Sequence, residues 1–311
     1  ESNHGGTEQV LPKPLAISLS VVAGALIAVQ SRVNGALGLE LENGVVAALI
    51  SFGIGTILIS AVLFSLKPQR HKLLEMLKAL TRGRLPLWLF FGGFAGGFFV
   101  MMQGLVAPTL GITLFTLAIV SGQALSALML DSFGLIGMTK RVLSLARLVG
   151  ALLALIGVVL FAGLGFEVIS PLVVLPFLAG FGTGFQQAIN GRLAKQTESV
   201  LLSTYVNFVA GTLIILVTLL LVQGIPVTQS LPTNPWLYLG GVVGGAFIFL
   251  QVLVVRQIGV LALGLSLLAG QVVAALILDL LLPISAINFA PLNFLGVLLV
   301  VTGASLVVIR R

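Results

Sequence analysis

AGALIAVQSRVNGALG at residues 23–38 and AGFGTGFQQAINGRLA at residues 179–194 are two versions of one segment. At a constant offset of 156 residues, with no gap, Ala23-Gly24, Gln30, Asn34-Gly35, Glu42, Phe52 and Gly55-Thr56 fall on Ala179-Gly180, Gln186, Asn190-Gly191, Glu198, Phe208 and Gly211-Thr212. An offset of 148 sets Trp88-Leu89, Gly92-Gly93, Gly96-Gly97, Gln103, Gly111, Gly122-Gln123 and Asp131 on Trp236-Leu237, Gly240-Gly241, Gly244-Gly245, Gln251, Gly259, Gly270-Gln271 and Asp279. Gly150 and Gly157 meet Gly296 and Gly303 at an offset of 146. Shared apolar composition aligns leucines, but it does not align Gly, Gln, Asn, Asp and Trp in register. The chain reads as an internal duplication.

Composition says where such a chain lives. Of 311 residues, 58% are apolar and 8% charged, against about a quarter charged in soluble domains. A spanning helix needs about 20 apolar residues. Ten segments of this kind can be drawn, at about 14–38, 44–66, 86–106, 109–130, 143–165, 171–194, 199–222, 236–256, 258–282 and 290–309. The predicted fold is therefore an all-α integral membrane protein with ten transmembrane helices. Residues 1–13 form a polar N-terminal tail, 14–166 the first five-helix repeat and 167–311 the second. The longest connection, Lys67–Arg84, spaces Leu73, Leu74, Leu77 and Leu80 among Lys72, Glu75 and Lys78, which fits an amphipathic surface helix or a solvated loop.

Orientation follows from the basic residues. With the amino terminus in the cytoplasm, all of the 16 Lys and Arg except Arg32 fall on the inner side, and Glu40, Glu42 and Glu167 fall outside, the separation expected of short loops. Both termini are then cytoplasmic in a bacterial inner or plasma membrane. Five helices is an odd number, so the second repeat enters the membrane upside down. Inverted repeats let one scaffold open a central site first to one side and then to the other. The net charge of +7 is carried by loops beside apolar helices, so topology rather than nucleic acid explains it.

Several chemistries are excluded. Without cysteine, and with only His4 and His71 outside the apolar runs, neither a thiolate nor a histidine metal site has ligands. No cofactor is expected. No Gly-x-x-x-x-Gly-Lys-Ser/Thr phosphate loop, His-Glu-x-x-His motif or Ser–His pair is present, which argues against an ATP-driven pump and an intramembrane enzyme. The expected partners are a small-molecule substrate and the lipid bilayer. One chain holds both halves, so a homodimer is not required.

Intramembrane polar residues mark the candidate pathway. Gln30 and Asn34 share one helix face, as do Gln186 and Asn190. The repeat predicts one cluster of Gln30, Asn34 and Gln271 toward the outside and another of Gln186, Asn190 and Gln123 toward the inside. These amides either line the pathway or bind helices together. Where the halves differ, an asymmetric substrate is read: Asn207 stands opposite Ser51, Tyr205 opposite Leu49 and Gln187 opposite Ser31, with Asn207 the foremost candidate. Gly92, Gly93, Gly96, Gly97 and their counterparts Gly240, Gly241, Gly244 and Gly245 form small-xxx-small seams for close packing.

Asp131 and Asp279 end their helices, where the dipole disfavours a carboxylate. Each is a structural anchor, a gate latch or an ion site. Lys140 and Arg141 are the sequence-near partners for Asp131. Arg32 is expected to reach the outer headgroups or pair with Glu40 or Glu42.

An early Gln-x-x-x-Asn-Gly, a Gly-Gly-x-x-Gly-Gly third helix and a late Gly-Gln with a following Asp, in this order and duplicated, resemble the YdcZ-type branch of the drug/metabolite transporter superfamily in a fused two-unit form. The resemblance runs from Leu15 to Arg310. It implies a ten-helix carrier with its substrate cavity between the halves, and favours export. Small multidrug carriers of the wider superfamily place a glutamate in the first helix of each unit; here Gln30 and Gln186 stand in the first helices, which leaves that route of proton coupling without its carboxylate. The expected substrate is neutral, zwitterionic or weakly charged.

Overall fold

The computed structural model describes residues 11–137, 140, 142–162, 171–224, 230–285 and 289–309, without the side chains of 249, 251–253, 255–262, 308 and 309. Most of the polar tail, Arg141 and Glu167 lie outside the described residues. The described chain is helical. Its elements are α1 (Lys13–Glu40), α2 (Gly44–Ser65), α3 (Lys67–Thr81), α4 (Gly92–Leu105), α5 (Ala107–Leu110), α6 (Ile112–Phe133), α7 (Leu145–Ala162), α8 (Val174–Thr197), α9 (Val200–Val222), α10 (Gly240–Leu281) and α11 (Pro291–Ile309). Among the described residues, eight helical stretches are long and apolar enough to cross a bilayer, and Pro291–Val307 is a shorter apolar helix.

The duplication is visible in the turns. Glu42 and Glu198, one offset apart, both adopt the left-handed conformation with φ of 50° and 49°. Each is followed by a capping side chain. Asn43 accepts from Val45 N and Val46 N at the start of α2, and Ser199 accepts from Leu202 N at the start of α9. These caps satisfy backbone donors that a helix start leaves open.

The Lys67–Arg84 connection is a helix. α3 buries Met76 among Leu63, Leu85, Leu89, Leu193 and Leu202, and its polar side is tied to the turn between α8 and α9. Ser199 Oγ bonds Gln69 Oε1 at 2.5 Å, and Lys72 Nζ donates to the Glu198 carbonyl. On its exposed face the Lys78 ammonium, 2.9 Å away, holds the Glu75 carboxyl below its ordinary range.

The largest departure from expectation is α10. Helix spans Gly240–Leu281, 42 residues, where two segments divided near residue 257 are expected. Straight, it would be about 63 Å long, twice the hydrocarbon thickness of about 30 Å. Its contacts show that it doubles back. Gly240 lies against Asn34 and Gly244 against Gln30, while Val254 and Leu263 both pack with Ala16. Leu267 then abuts Gly24, and the Leu282 carbonyl ends beside Arg32. The first arm descends along α1 and the second climbs back, with the reversal between Val254 and Leu263.

The halves meet through reciprocal contacts. Gly24 packs on the Leu267 carbonyl and Gly180 on that of Ile119; Gly122 packs on the Phe177 carbonyl and Gly270 on that of Val21. Each of these pairs is the other after the offsets are applied. Gly150 abuts Gly303 where Gly157 abuts Gly296. Arg147 Nε donates to the Val307 carbonyl at 3.0 Å, and its counterpart Asn293 donates to the Phe161 carbonyl at 2.8 Å. Thr56 and Thr212 bond each other at 2.7 Å, and Phe52 and Phe208 pack at 5.0 Å between ring centroids. Residue i meeting j while j's equivalent meets i's equivalent is the pattern of a two-fold relation. A Cβ at these glycines would run into the neighbouring backbone, so their role is close helix contact.

Candidate functional site

In the first half the polar residues are sealed. Asn34 Nδ2 donates to Gln103 Oε1 at 2.7 Å, and Gln103 Nε2 donates to Ser31 Oγ at 2.9 Å. Gln103 and Asn34 are 0% exposed and Ser31 1%. Gln30 is also buried, with its amide against Gly244, and so is Gln271. Gln103 lies outside the expected site residues. Its exact recurrence at Gln251 was the available sequence signal.

In the second half the same pattern stands open. Asn207 Oδ1 accepts from Gln186 Nε2 at 2.8 Å and from Asn190 Nδ2 at 3.0 Å. Gln186 and Asn190 are half-buried, whereas Gln187, Gly191 and Lys195 are exposed along one face of α8. Lys195 lies in the last turn of α8, and Gln187 is a polar side chain of the kind that is costly against lipid. Gln123 is half-buried and donates to Thr183 Oγ1 at 3.1 Å, apart from the Asn207 network. Arg192 lies over the Trp88 ring at 5.3 Å. At the same end, a cleft of about 470 Å³ separates α3 from the end of α8, lined by Lys72, Glu75, Met76, Arg84 and Glu198 among others.

The family described as "Putative inner membrane exporter, YdcZ" matches the chain twice, over residues 15–160 and 171–306. The chain belongs to this family. As a YdcZ-family chain it is a multi-pass inner membrane protein of a transporter rather than an enzyme family, and its two halves are two copies of the same family unit. No curated protein matches it. A solved structure described as "Crystal structure of protein" resembles it with a TM-score of 0.53 and 19% identity, over 94% of each chain; at that identity the likeness concerns the fold alone.

The two aspartates of the YdcZ-family repeats are equivalent in sequence and different in contact. Asp131 accepts from Arg147 Nη2 at 2.7 Å. The described ion partner is thus Arg147, not sequence-near Lys140, because α7 folds back and sets its first turn beside the end of α6; Arg141 lies outside the described residues. Asp279 accepts from Ile112 N at 2.9 Å and Thr113 N at 2.6 Å. It caps the start of α6, whose positive dipole end offsets the unfavourable end of its own helix. Arg32 reaches neither Glu40 nor Glu42 in these contacts. Its Nε donates to the Leu282 carbonyl at 3.0 Å, one of the carbonyls that a helix end leaves open.

The glycine seams of this YdcZ-family chain are not equally tight. Gly92 and Gly96 take Asn190 and Gln186 against them, and Gly240 and Gly244 take Asn34 and Gln30. Gly93 and Gly241 repeat one contact, on the carbonyls of Asn207 and Ser51. Gly97 packs on Gly211 and Ile214, but its counterpart Gly245 has nothing among the described residues within 4 Å of a built Cβ.

Proposed function

We propose that this protein exports a small neutral, zwitterionic or weakly charged solute by alternating access between two inverted five-helix halves. In this reading, α10 contributes two crossings and the chain makes ten, with both termini and the α3 end in the cytoplasm. Basic α3, Arg192 and Lys195 support that orientation.

The observation that carries the reading is the opposite exposure of equivalent positions. Ser31 is 1% exposed and Gly35 is buried, while Gln187 and Gly191 are exposed. One scaffold in two packings produces this contrast: closed toward the outside and open toward the cytoplasm, where an exporter loads. Gln186, Asn190, Asn207 and Gln123 then face the loading vestibule, while Gln30, Asn34 and Gln271 sit behind the outer seal. Asp279 on α6 is the latch of that seal.

The absence of cysteine makes the test clean. Ser31→Cys and Gln187→Cys are labelled separately with a membrane-impermeant maleimide in vesicles of each orientation. Gln187→Cys should react from the cytoplasmic face only, and Ser31→Cys should be protected. Adding Asp279→Ala should raise Ser31→Cys labelling from outside and lower that of Gln187→Cys. Reactivities that change independently would refute alternating access.

A further inference from the structure

Asn207 is the only one of the three convergent amides whose chemistry is unfinished on its nitrogen side while its oxygen is doubly engaged. Its Oδ1 takes both donors, from Gln186 and Asn190. Asn190 sets its carbonyl oxygen over Gly92 and Gln186 its amide nitrogen over Gly96, and both turn an NH2 to Asn207, which meets them with its oxygen. The same arrangement recurs where Asn34 Oδ1 lies over Gly240 and Nδ2 serves Gln103.

Asn207 Nδ2 takes no part in these two bonds, and among the described residues it has no hydrogen-bond partner. Asn207 is 4% exposed, yet Nδ2 is not one of the fully enclosed unpaired atoms, unlike Asn34 Oδ1 and Ser51 Oγ. Two donors on the carbonyl oxygen polarise the amide and strengthen the free N–H. The surrounding polar groups, Gln186, Asn190 and Ser203, are uncharged, and Arg192 is engaged on Trp88. An anion placed there would have no adjacent countercharge.

We infer that Asn207 Nδ2 is the specificity-determining donor of the inner vestibule and reads a neutral carbonyl or hydroxyl oxygen on the exported solute. The counterpart Ser51 has no amide to offer, so the reading is made at one end of the pathway only. This inference rests on the vestibule being the loading site proposed above.

Binding is measured on the detergent-purified full chain, by thermal shift and titration calorimetry. The probes are N-acetyl amino-acid amides and polyols, with primary amines of matching size. Wild type should bind members of the neutral set and not the amines. Asn207→Asp keeps both accepted hydrogen bonds but replaces the free donor with an acidic acceptor; it should lose the neutral probes by about tenfold or more and gain the amines. Asn207→Ser, the residue of the other half, should lose the neutral probes without gaining amines. No binding of neutral probes to wild type, or an unchanged preference in folded Asn207→Asp, overturns the inference. Transport is not read, so a protein with the expected preference but with independent labelling at Ser31 and Gln187 would refute alternating access and leave the binding result standing.

Discussion

Gln30 and Asn34 on α1 and Gln186 and Asn190 on α8 have the same spacing and the same glycine-rich neighbours, yet the first pair is covered and the second half-open. The difference comes from what lies against them. Around Gly35, the Gln103 backbone, Pro108 and Ile284 close in, while among the described residues nothing stands within 4 Å of a Cβ built on Gly191. The sealed end is also the less satisfied one. Asn34 Oδ1 and Ser51 Oγ are enclosed without a hydrogen-bond partner in the described contacts, and such groups cost about 1–3 kcal/mol each. At the open end Asn207 takes up the amides that Ser51 is too short to reach. The first cluster is thus covered by packing in spite of unpartnered polar atoms, whereas the second satisfies its amides and leaves one face of α8 exposed.

The largest test concerns the two aspartates. Asp131→Ala would leave Arg147, 3% exposed, without its carboxylate, and losing one partner of a buried pair costs about 3–5 kcal/mol. Asp279→Ala removes a cap from two amides, worth about 0.5–2 kcal/mol. Thermal unfolding in detergent should rank Asp131→Ala well below Asp279→Ala, and Asp131→Ala/Arg147→Leu should recover part of the loss. An equal loss from both single variants would mean that the aspartates play the same role, contrary to their contacts.

Next in size is the glycine pair. Gly35→Leu meets Ile284 and Pro108 and should destabilise the chain by about 1–3 kcal/mol through overpacking. Gly191→Leu has open space and should unfold within about 0.5 kcal/mol of wild type, while blocking closure of the inner end. It should therefore hold Ser31→Cys in its protected state even with Asp279→Ala present. If Gly191→Leu is as destabilising as Gly35→Leu, the two ends are alike and the comparison fails.

Gln103→Leu removes the partner of both Asn34 and Ser31 at the sealed end, whereas Gln123→Leu removes one bond to Thr183 at the open end. Differential scanning should show a loss of about 1–3 kcal/mol for the first and about 0.6 kcal/mol for the second. Comparable losses would show that water does not reach the second half's amides.

The membrane fold and the duplication were legible in the sequence because both are written in residue type and spacing. The offsets that align Gly24 with Gly180 and Gly122 with Gly270 also identify the backbone contacts those glycines make. What sequence could not give is state. Two equivalent glutamines carry no sign of which is covered, since that depends on how α4 and the first arm of α10 lean. Arg147 was missed as a partner of Asp131 because proximity along the chain favoured Lys140 and Arg141, and the pairing depends on α7 returning beside α6. The cap that Asp279 places on α6 joins residues 166 and 167 positions apart, and no local pattern announces it.

The smallest expected effect lies on the seam between the halves, where both ends share one contact. Thr56 Oγ1 bonds Thr212 Oγ1 at 2.7 Å and also the Phe208 carbonyl at 3.2 Å. Thr56→Val and Thr212→Val should each lower stability by about 0.6 kcal/mol, with Thr56→Val the slightly larger, and the double variant should fall short of the sum because the bond is counted twice. An axis contact between equivalent residues is preserved when the halves exchange packings. Neither variant should therefore change the ratio of Ser31→Cys to Gln187→Cys labelling. A shifted ratio would move the gate from the ends of the molecule to its middle, and the contrast between the sealed and open clusters would then be a consequence of the seam rather than of Gln103, Pro108 and Ile284.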